Sequence, residues 1–412
     1  MAKKIGASKR KSRKCTIVDI LLGYWQLASM KQFSFDNWAI QISSITGKTI
    51  SGQAVWKRIT PEIILFLKEL LNKSFRQKCD TLIDSKIFCS FENVFIQDAT
   101  HFSLPRILSQ AFPGSYSRYG DCATAKIQAI YNLKKGFFSD LNLCSFRDTD
   151  QKDSSRFVKA LSKGDLIIRD LGYFVLNTFN EIEERQAFYL SRVRYGVSIF
   201  DLKTGKKLDL HKSLKQKKRL DVYVSVGLKH KVKCRLVAIP LSDDIVNQKR
   251  RKAKNNRSKS ANHSKEYMHL LGYALYITNV PNEVWTPDDI VQAYKSRWYI
   301  EILFKGWKSN LKMQVNIPEK YMTKQRAEFF FYASLLMVNL LVMPIFSKVQ
   351  LHSLSARNNI SIMKLCAFLN QNIQLIIQSF DNNMLNKIKY YCIYESRKNR
   401  INAMETICLN LP

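Results

Sequence analysis

Three acidic residues stand where they could do chemistry. Asp98 and Asp170 each follow a short apolar run, Val94–Gln97 and Asp165–Arg169, of the kind that forms a strand and leaves an acid at its end. Glu301 lies within Tyr294–Lys308, where at about 100° per residue Tyr294, Arg297, Lys305 and Lys308 all fall within roughly 40° of it on a helical wheel. Ile300, Leu303 and Trp307 form a separate apolar face that can pack on a sheet. One carboxylate is therefore held among three cations and a phenol. Such a stripe is read either as a solvated row of i, i+4 ion pairs, or as a carboxylate for a divalent metal with cations beside it for phosphates. The second accounts better for cations outnumbering the acid.

The elements that must position these residues change character along the chain. Seven of the first fourteen residues are Lys or Arg, a solvated arm or a phosphate-contacting one. From Phe35 to Ile59 the pattern predicts helix, turn, helix, with Trp38, Ile42 and Ile45 on the first helix and Gly47 at the turn. The second would offer Gln53, Lys57 and Arg58 to a DNA groove, the alternative being an ordinary helical hairpin. Ala125–Leu133 and Phe138–Phe146 predict a hairpin turning at Lys134–Gly136, and Phe188–Val193 a further strand. Asp148 and Asp150 read as turn formers.

Between 197 and 270 short strands (Val222–Val226, Val232–Ile239) sit among basic clusters, and Lys249–Lys259, with seven bases in eleven residues, reads as a mobile basic loop. Thr286-Pro287 marks a helix start, with Asp288 and Asp289 in its first turn. Phe329–Phe346 is almost wholly apolar but contains Ser334, Asn339 and Pro344, and reads as a buried helix rather than a membrane span. The expected organisation is a helical DNA-binding region (1–90), an α/β core in two parts (91–196 and 271–320), a β-rich basic insertion (197–270) and a helical C-terminal region (321–412).

Composition narrows the partners. The 412 residues carry 66 Lys and Arg against 33 Asp and Glu, a formal charge of +33, with 12% aromatic residues. A chain that is both basic and aromatic can fold and also bind a polyanion, so nucleic acid outranks a membrane surface. Nine scattered cysteines show no C-x-x-C spacing and the six His no ligand-like spacing, which points to free thiols in a reducing compartment and away from zinc. No apolar run of signal-peptide type follows the basic start.

Tyr294, Arg297, Glu301 and Lys308, separated by two, three and six residues, resemble the Y-R-E-K signature of the insertion-sequence DDE transposases, bacterial cut-and-paste enzymes of hairpin-forming type. The runs Phe95-Ile-Gln-Asp98 and Leu166-Ile-Ile-Arg-Asp170-Leu-Gly-Tyr173 are similar to the family's two strand-end aspartates, and Pro113-Gly114 lies where the family often has such a pair. The likeness covers about residues 30 to 320. It implies a ribonuclease-H-like α/β core with catalytic, metal-binding Asp98, Asp170 and Glu301, and with Tyr294, Arg297, Lys305 and Lys308 on the DNA strand. The spacing departs from a bare core: Asp98 and Asp170 are 72 positions apart, Asp170 and Glu301 131, and the 197–270 insertion accounts for the excess.

Carboxylate oxygens suit Mg²⁺, a hard cation, with Mn²⁺ as a substitute. Two such ions roughly 3.5–4 Å apart would activate water and clamp the phosphate. The implied partners are double-stranded DNA, as terminal inverted repeats and target, and a second copy of the chain on paired ends. No membrane is implied, and the expected location is the bacterial cytoplasm at the nucleoid. Two other readings stay open: a ribonuclease-H-like nuclease that cuts without joining, and a DNA-binding regulator without catalysis.

Overall fold

The structure is a computed structural model; it describes residues 1–7, 14–27, 33–75, 85–117, 120–258, 262–311, 313, 322–354 and 359–395. Residues 8–13 of the N-terminal basic arm, and Lys259, lie outside them. In chain order the helices are α1 (Ile17–Leu27), α2 (Phe35–Thr46), α3 (Gly52–Trp56), α4 (Pro61–Ser74), α5 (Asp150–Asp153), α6 (Leu176–Glu184), α7 (Leu210–Gln216), α8 (Asp243–Lys254), α9 (Lys265–Leu270), α10 (Pro287–Lys295), α11 (Trp298–Ser309), α12 (Lys324–Met337), α13 (Met343–Leu354), α14 (Ile362–Gln378) and α15 (Asn382–Tyr391). The strands are β1 (Val94–Leu104), β2 (Pro113–Ser117), β3 (Gly120–Asn132), β4 (Phe137–Ser145), β5 (Leu166–Arg169), β6 (Phe188–Arg192), β7 (Ile199–Asp201), β8 (Leu220–Val226), β9 (Val232–Pro240) and β10 (Tyr273–Thr278). The fold is mixed α/β.

Two compact units divide these elements. The first holds the described residues of Met1–Ile83, Asp98–Asp148 and the chain from Trp298 onward. Its N-terminal helices start and stop where the sequence says: Ser34, Ser51 and Thr60 cap α2, α3 and α4 through their hydroxyls, Pro61 opens α4, and Gly47 ends α2 at φ +66°. Helix α1 packs on α12, where the Trp25 indole donates to the Ala333 carbonyl at 2.8 Å and the Tyr24 hydroxyl meets Ser334 Oγ at 3.0 Å. Trp38, wholly buried, stacks against Phe35 and tilts on Phe329 and Phe330. The N-terminal and C-terminal helices thus share one core. The hairpin falls as expected, with β3 and β4 antiparallel and Gly136 at φ +72° in the turn.

The apolar run at 329–346 is a core helix. Lys324–Ser353 is long and apolar enough to cross a membrane, yet 83% of its most apolar stretch is buried inside the protein. A wide π turn, Val338–Val342, precedes Pro344, whose ring would meet the carbonyl of residue 340 in a regular helix.

The second unit holds Ser85–Gln97 and Thr149–Arg297 among the described residues. Val94–Gln97 of β1 pairs in parallel with Leu166–Arg169 of β5, and β5 in parallel with β6, the crossover being made by α6. All four β5 side chains are buried, as a strand covered on both faces requires. The sheet then turns antiparallel through β10, β9, β8 and β7.

Two expectations are corrected here. Lys249–Lys259 is not a loop over its first half: α8 reaches Lys254, because Asp243 and Asp244 occupy its first turn and Arg251, Lys252 and Lys254 its last, the arrangement the helix dipole favours. The 197–270 segment accordingly contains three helices as well as strands.

Candidate active site

Asp170 follows β5 directly and opens the 3-10 turn Leu171–Tyr173, the strand-end position read from the sequence. Its carboxylate, 41% exposed, accepts a hydrogen bond from the Tyr294 hydroxyl at 3.3 Å, and the Arg297 guanidinium lies 3.9 Å away. Tyr294 is 7% exposed. Burial pushes its phenol far above the usual range, the cation of Arg297 pulling back only partly, so it stays a donor. Two guanidiniums stand over the Tyr294 ring, Arg192 at 5.4 Å and Arg297 at 5.9 Å. Arg192 was not singled out from the sequence; the available signal was a cation ending a strand beside the one that leads to Asp170.

Tyr294 and Glu301 do not share one helix. Helix α10 ends at Lys295, α11 begins at Trp298, and Ser296 and Arg297 form the break. Ser296, fully buried, donates its hydroxyl to the Ala293 carbonyl at 2.6 Å, a local bond that competes with helix continuation. Thr286 and Asp289 close a reciprocal capping box at the start of α10, as Thr286-Pro287 foretold.

In the first unit, Glu301 lies in the first turn of α11, half-buried, where the helix dipole favours an acid. The apolar face is as read: Ile300, Leu303 and Trp307 are at most 1% exposed, and the Trp307 ring sits 4.9 Å from Phe138 of β4. Burying each such side chain stabilises by about 1.5–3 kcal/mol, which fixes the rotation of α11 and hence the direction of Glu301. Lys305 is exposed; the Lys308 ammonium lies over the Phe102 ring at 5.3 Å, and desolvation pulls its pKa down. Asp98 is half-buried, with its Oδ1 accepting from the Ala99 amide at 2.8 Å. It does not end its strand, as the sequence reading had it: β1 runs on to Leu104 because Phe102 and Leu104 continue the alternation of buried side chains.

Gln53 and Lys57 are exposed on and just after α3, while Arg58 is engaged in the core side, donating to the Cys15 carbonyl at 3.1 Å. Helix α3 has only five residues. Asp148 is the turn former expected, its carboxylate accepting from the Ser145 amide at 3.2 Å. Among the described residues no three His, Cys, Asp or Glu side chains are placed to hold a metal ion together.

A strand-end carboxylate braced by a phenol and a guanidinium, in a strongly basic α/β protein, is a set of groups suited to a phosphate-bearing partner. The chain belongs to the transposase DDE domain family, which matches residues 90–340, and it is an enzyme of DNA transposition. It is 27% identical to the transposase for insertion sequence element IS231D of Bacillus thuringiensis subsp. finitimus, over 93% of this chain and 84% of that one. It is 26% identical to the transposase for IS1151 of Clostridium perfringens, over 67% and 63%. A more distant likeness is to the piggyBac transposase synaptic complex with hairpin DNA, at TM-score 0.44 and 9% identity, covering 97% of this chain and 82% of that one.

Proposed function

We propose that this transposase recognises the ends of its own mobile element, cuts there and joins the freed ends to target DNA, working as a homodimer with one copy per end in a bacterial cytoplasm. Asp98, Asp170 and Glu301 would hold the divalent metal that the family implies, Mg²⁺ with Mn²⁺ as substitute; two ions would activate water and stabilise charge on the attacking and leaving oxygens. Oxygen-only donors fit a hard cation, and the groups engaged with Asp170 are a phenol and a guanidinium. The core around them is read as ribonuclease-H-like with an insertion at 197–270, and the four residues Tyr294, Arg297, Glu301 and Lys308 as the Y-R-E-K signature.

The observation that carries this reading is the meeting of Tyr294 and Arg297 on Asp170. The phenol orients the carboxylate by donating to one oxygen. Arg297, at 16% side-chain exposure, keeps a forked donor partly desolvated, the state in which it grips a phosphate most strongly. Lys305 and Lys308 would hold the same strand, and Gln53, Lys57 and Arg58 would read element ends, Arg58 with one nitrogen donating to the Cys15 carbonyl. The test is cleavage and joining of labelled end DNA in Mg²⁺. Products with end DNA covalently attached to target support the reading; cutting without joining reduces it to a nuclease.

A further inference from the structure

Beneath the strand ends that precede Asp98 and Asp170 lies a set of polar side chains with no part in the chemistry above. Gln97 and Arg169 are Cα partners on the parallel pair β1–β5, each immediately before one of the two aspartates, and both are 0% exposed. Alternation along a strand turns each away from the aspartate that follows it.

A guanidinium keeps its charge in a protein, and enclosing one costs several kcal/mol unless partners compensate. Yet none of the three guanidinium nitrogens of Arg169 has a hydrogen-bond acceptor among the described residues, and Gln97 Oε1 has no donor. The groups within electrostatic reach of Arg169 are Tyr173, Asp153 and Glu181. Asp153 is a hub: its Oδ2 accepts from Gln97 Nε2 at 3.3 Å and its Oδ1 from Arg156 Nε at 2.6 Å. The next residue, Ser154, is tied to Thr178 of α6 hydroxyl to hydroxyl at 3.0 Å. Tyr173, 1% exposed, closes the turn that Asp170 opens. In that turn Gly172 lies close against Asp150: a Cβ there would stand 3.0 Å from Asp150 Oδ2, so the carboxylate would have to shift. Groups on both the 150–153 helix and the 171–173 turn, which pack on each other, thus lie within electrostatic reach of Arg169, and its strand partner Gln97 is bonded to Asp153. Stability alone is a poor reason for an arginine here, because an apolar side chain of similar volume in such a place is commonly as good or better.

We propose that Arg169 is a positioning residue: with Gln97 and through Asp153 and Tyr173, it locks the 150–156 segment and the 171–173 turn against the end of β5, so that Asp170 is presented to the divalent cation in one fixed orientation. This rests on the reading of Asp170 as a metal ligand.

The test uses the full-length chain with Arg169→Met, Arg169→Lys and Gln97→Leu, and Asp170→Asn as control. Mn²⁺ binding is followed without DNA by the paramagnetic resonance signal of the free ion, beside gel-shift affinity for end DNA and thermal unfolding. Supporting side chains behind a metal ligand typically change metal affinity by about 10–100-fold. Arg169→Met should weaken Mn²⁺ binding by about 10-fold, raise the Mg²⁺ concentration for half-maximal cleavage, and leave end-DNA affinity unchanged. Arg169→Lys should restore part of the Mn²⁺ affinity, keeping the charge but on a smaller head that fills the enclosure less well. Wild-type Mn²⁺ affinity in folded Arg169→Met overturns the proposal. If that variant does not fold, wild-type affinity in both folded Arg169→Lys and Gln97→Leu does so. Failure of the underlying reading shows separately, as Asp170→Asn binding Mn²⁺ like the wild type.

Discussion

Tyr294 and Arg297 are buried or nearly so and are already engaged with Asp170, whereas Lys305, on the next helix, is exposed and Glu301 half-buried. The residues before and after the break at Ser296–Arg297 therefore meet different physical demands. The first set belongs to the unit that carries β5, where enclosure makes each hydrogen bond count and each lost partner costly. The second set stands on α11, which the burial of Ile300, Leu303 and Trp307 fixes in rotation while the opposite face stays open to a ligand. On the proposed reading Tyr294 prepares Asp170, while Arg297 and the cations of α11 receive the substrate.

The sharpest way to break this comparison is to remove the carboxylates. Asp98→Asn, Asp170→Asn and Glu301→Gln should each lower cleavage of end DNA in Mg²⁺ by about 10³-fold or more, several kcal/mol of barrier, while DNA binding persists. Near-normal cleavage by any of them removes that residue from the catalytic set. Next comes Arg297→Ala, expected to weaken affinity for end DNA by about 10-fold or more along with rate, since a charge-assisted bond contributes about 1.5–3 kcal/mol; unchanged gel-shift affinity would make Arg297 a brace for Asp170 only. Tyr294→Phe keeps the ring under both guanidiniums and deletes the hydroxyl. Its expected effect is on rate alone, about 5–10-fold for a net hydrogen bond near 1 kcal/mol, and a matching loss in DNA affinity would count against the division drawn here.

Smaller effects belong to the basic surface. Lys249 has its pKa lowered to about 8, first by burial and then by Arg192. The ammonium is therefore charged below that pH and lost above it, so affinity for random DNA should fall as pH rises from 7 to 9. Lys249→Arg should flatten that fall, and an unchanged pH profile would place Lys249 away from phosphate. Last, Gln53→Ala with Lys57→Ala should reduce preference for end DNA over random DNA without altering thermal stability, both side chains being exposed. Deleting the N-terminal helices would be a poorer experiment, because it also strips Tyr24 and Trp25 from α12.

Much of this was legible in the sequence because the signals were local. Thr286-Pro287, the Lys134–Gly136 turn and the apolar run to Asp170 each depend on neighbours within a few residues, and each fell where expected. The break between α10 and α11 was not legible. A wheel assumes a continuous helix, and nothing in the spacing from Tyr294 to Lys308 betrays that Ser296 bonds back to Ala293. The extent of β1 past Asp98 was hidden for the opposite reason: Phe102 packs on the distant Phe331, and the polar Thr100, His101 and Ser103 mimic a loop. Arg192 and Arg169 were invisible as well, since what makes them notable is the Tyr294 ring above one and the enclosure around the other.

Helix α8 has a thermodynamic corollary. A flexible basic loop would have to order itself on meeting DNA, giving up about 1–2 kcal/mol of backbone entropy per residue. In α8 the twelve residues Asp243–Lys254 have their backbone ordered when the protein folds, and the bases it carries rise at about 1.5 Å per residue along a rigid axis. Only side-chain rotamers remain to be restricted on contact. Association with random DNA through this helix should therefore show a heat-capacity change close to zero, the calorimetric mark of counterions leaving without a segment folding.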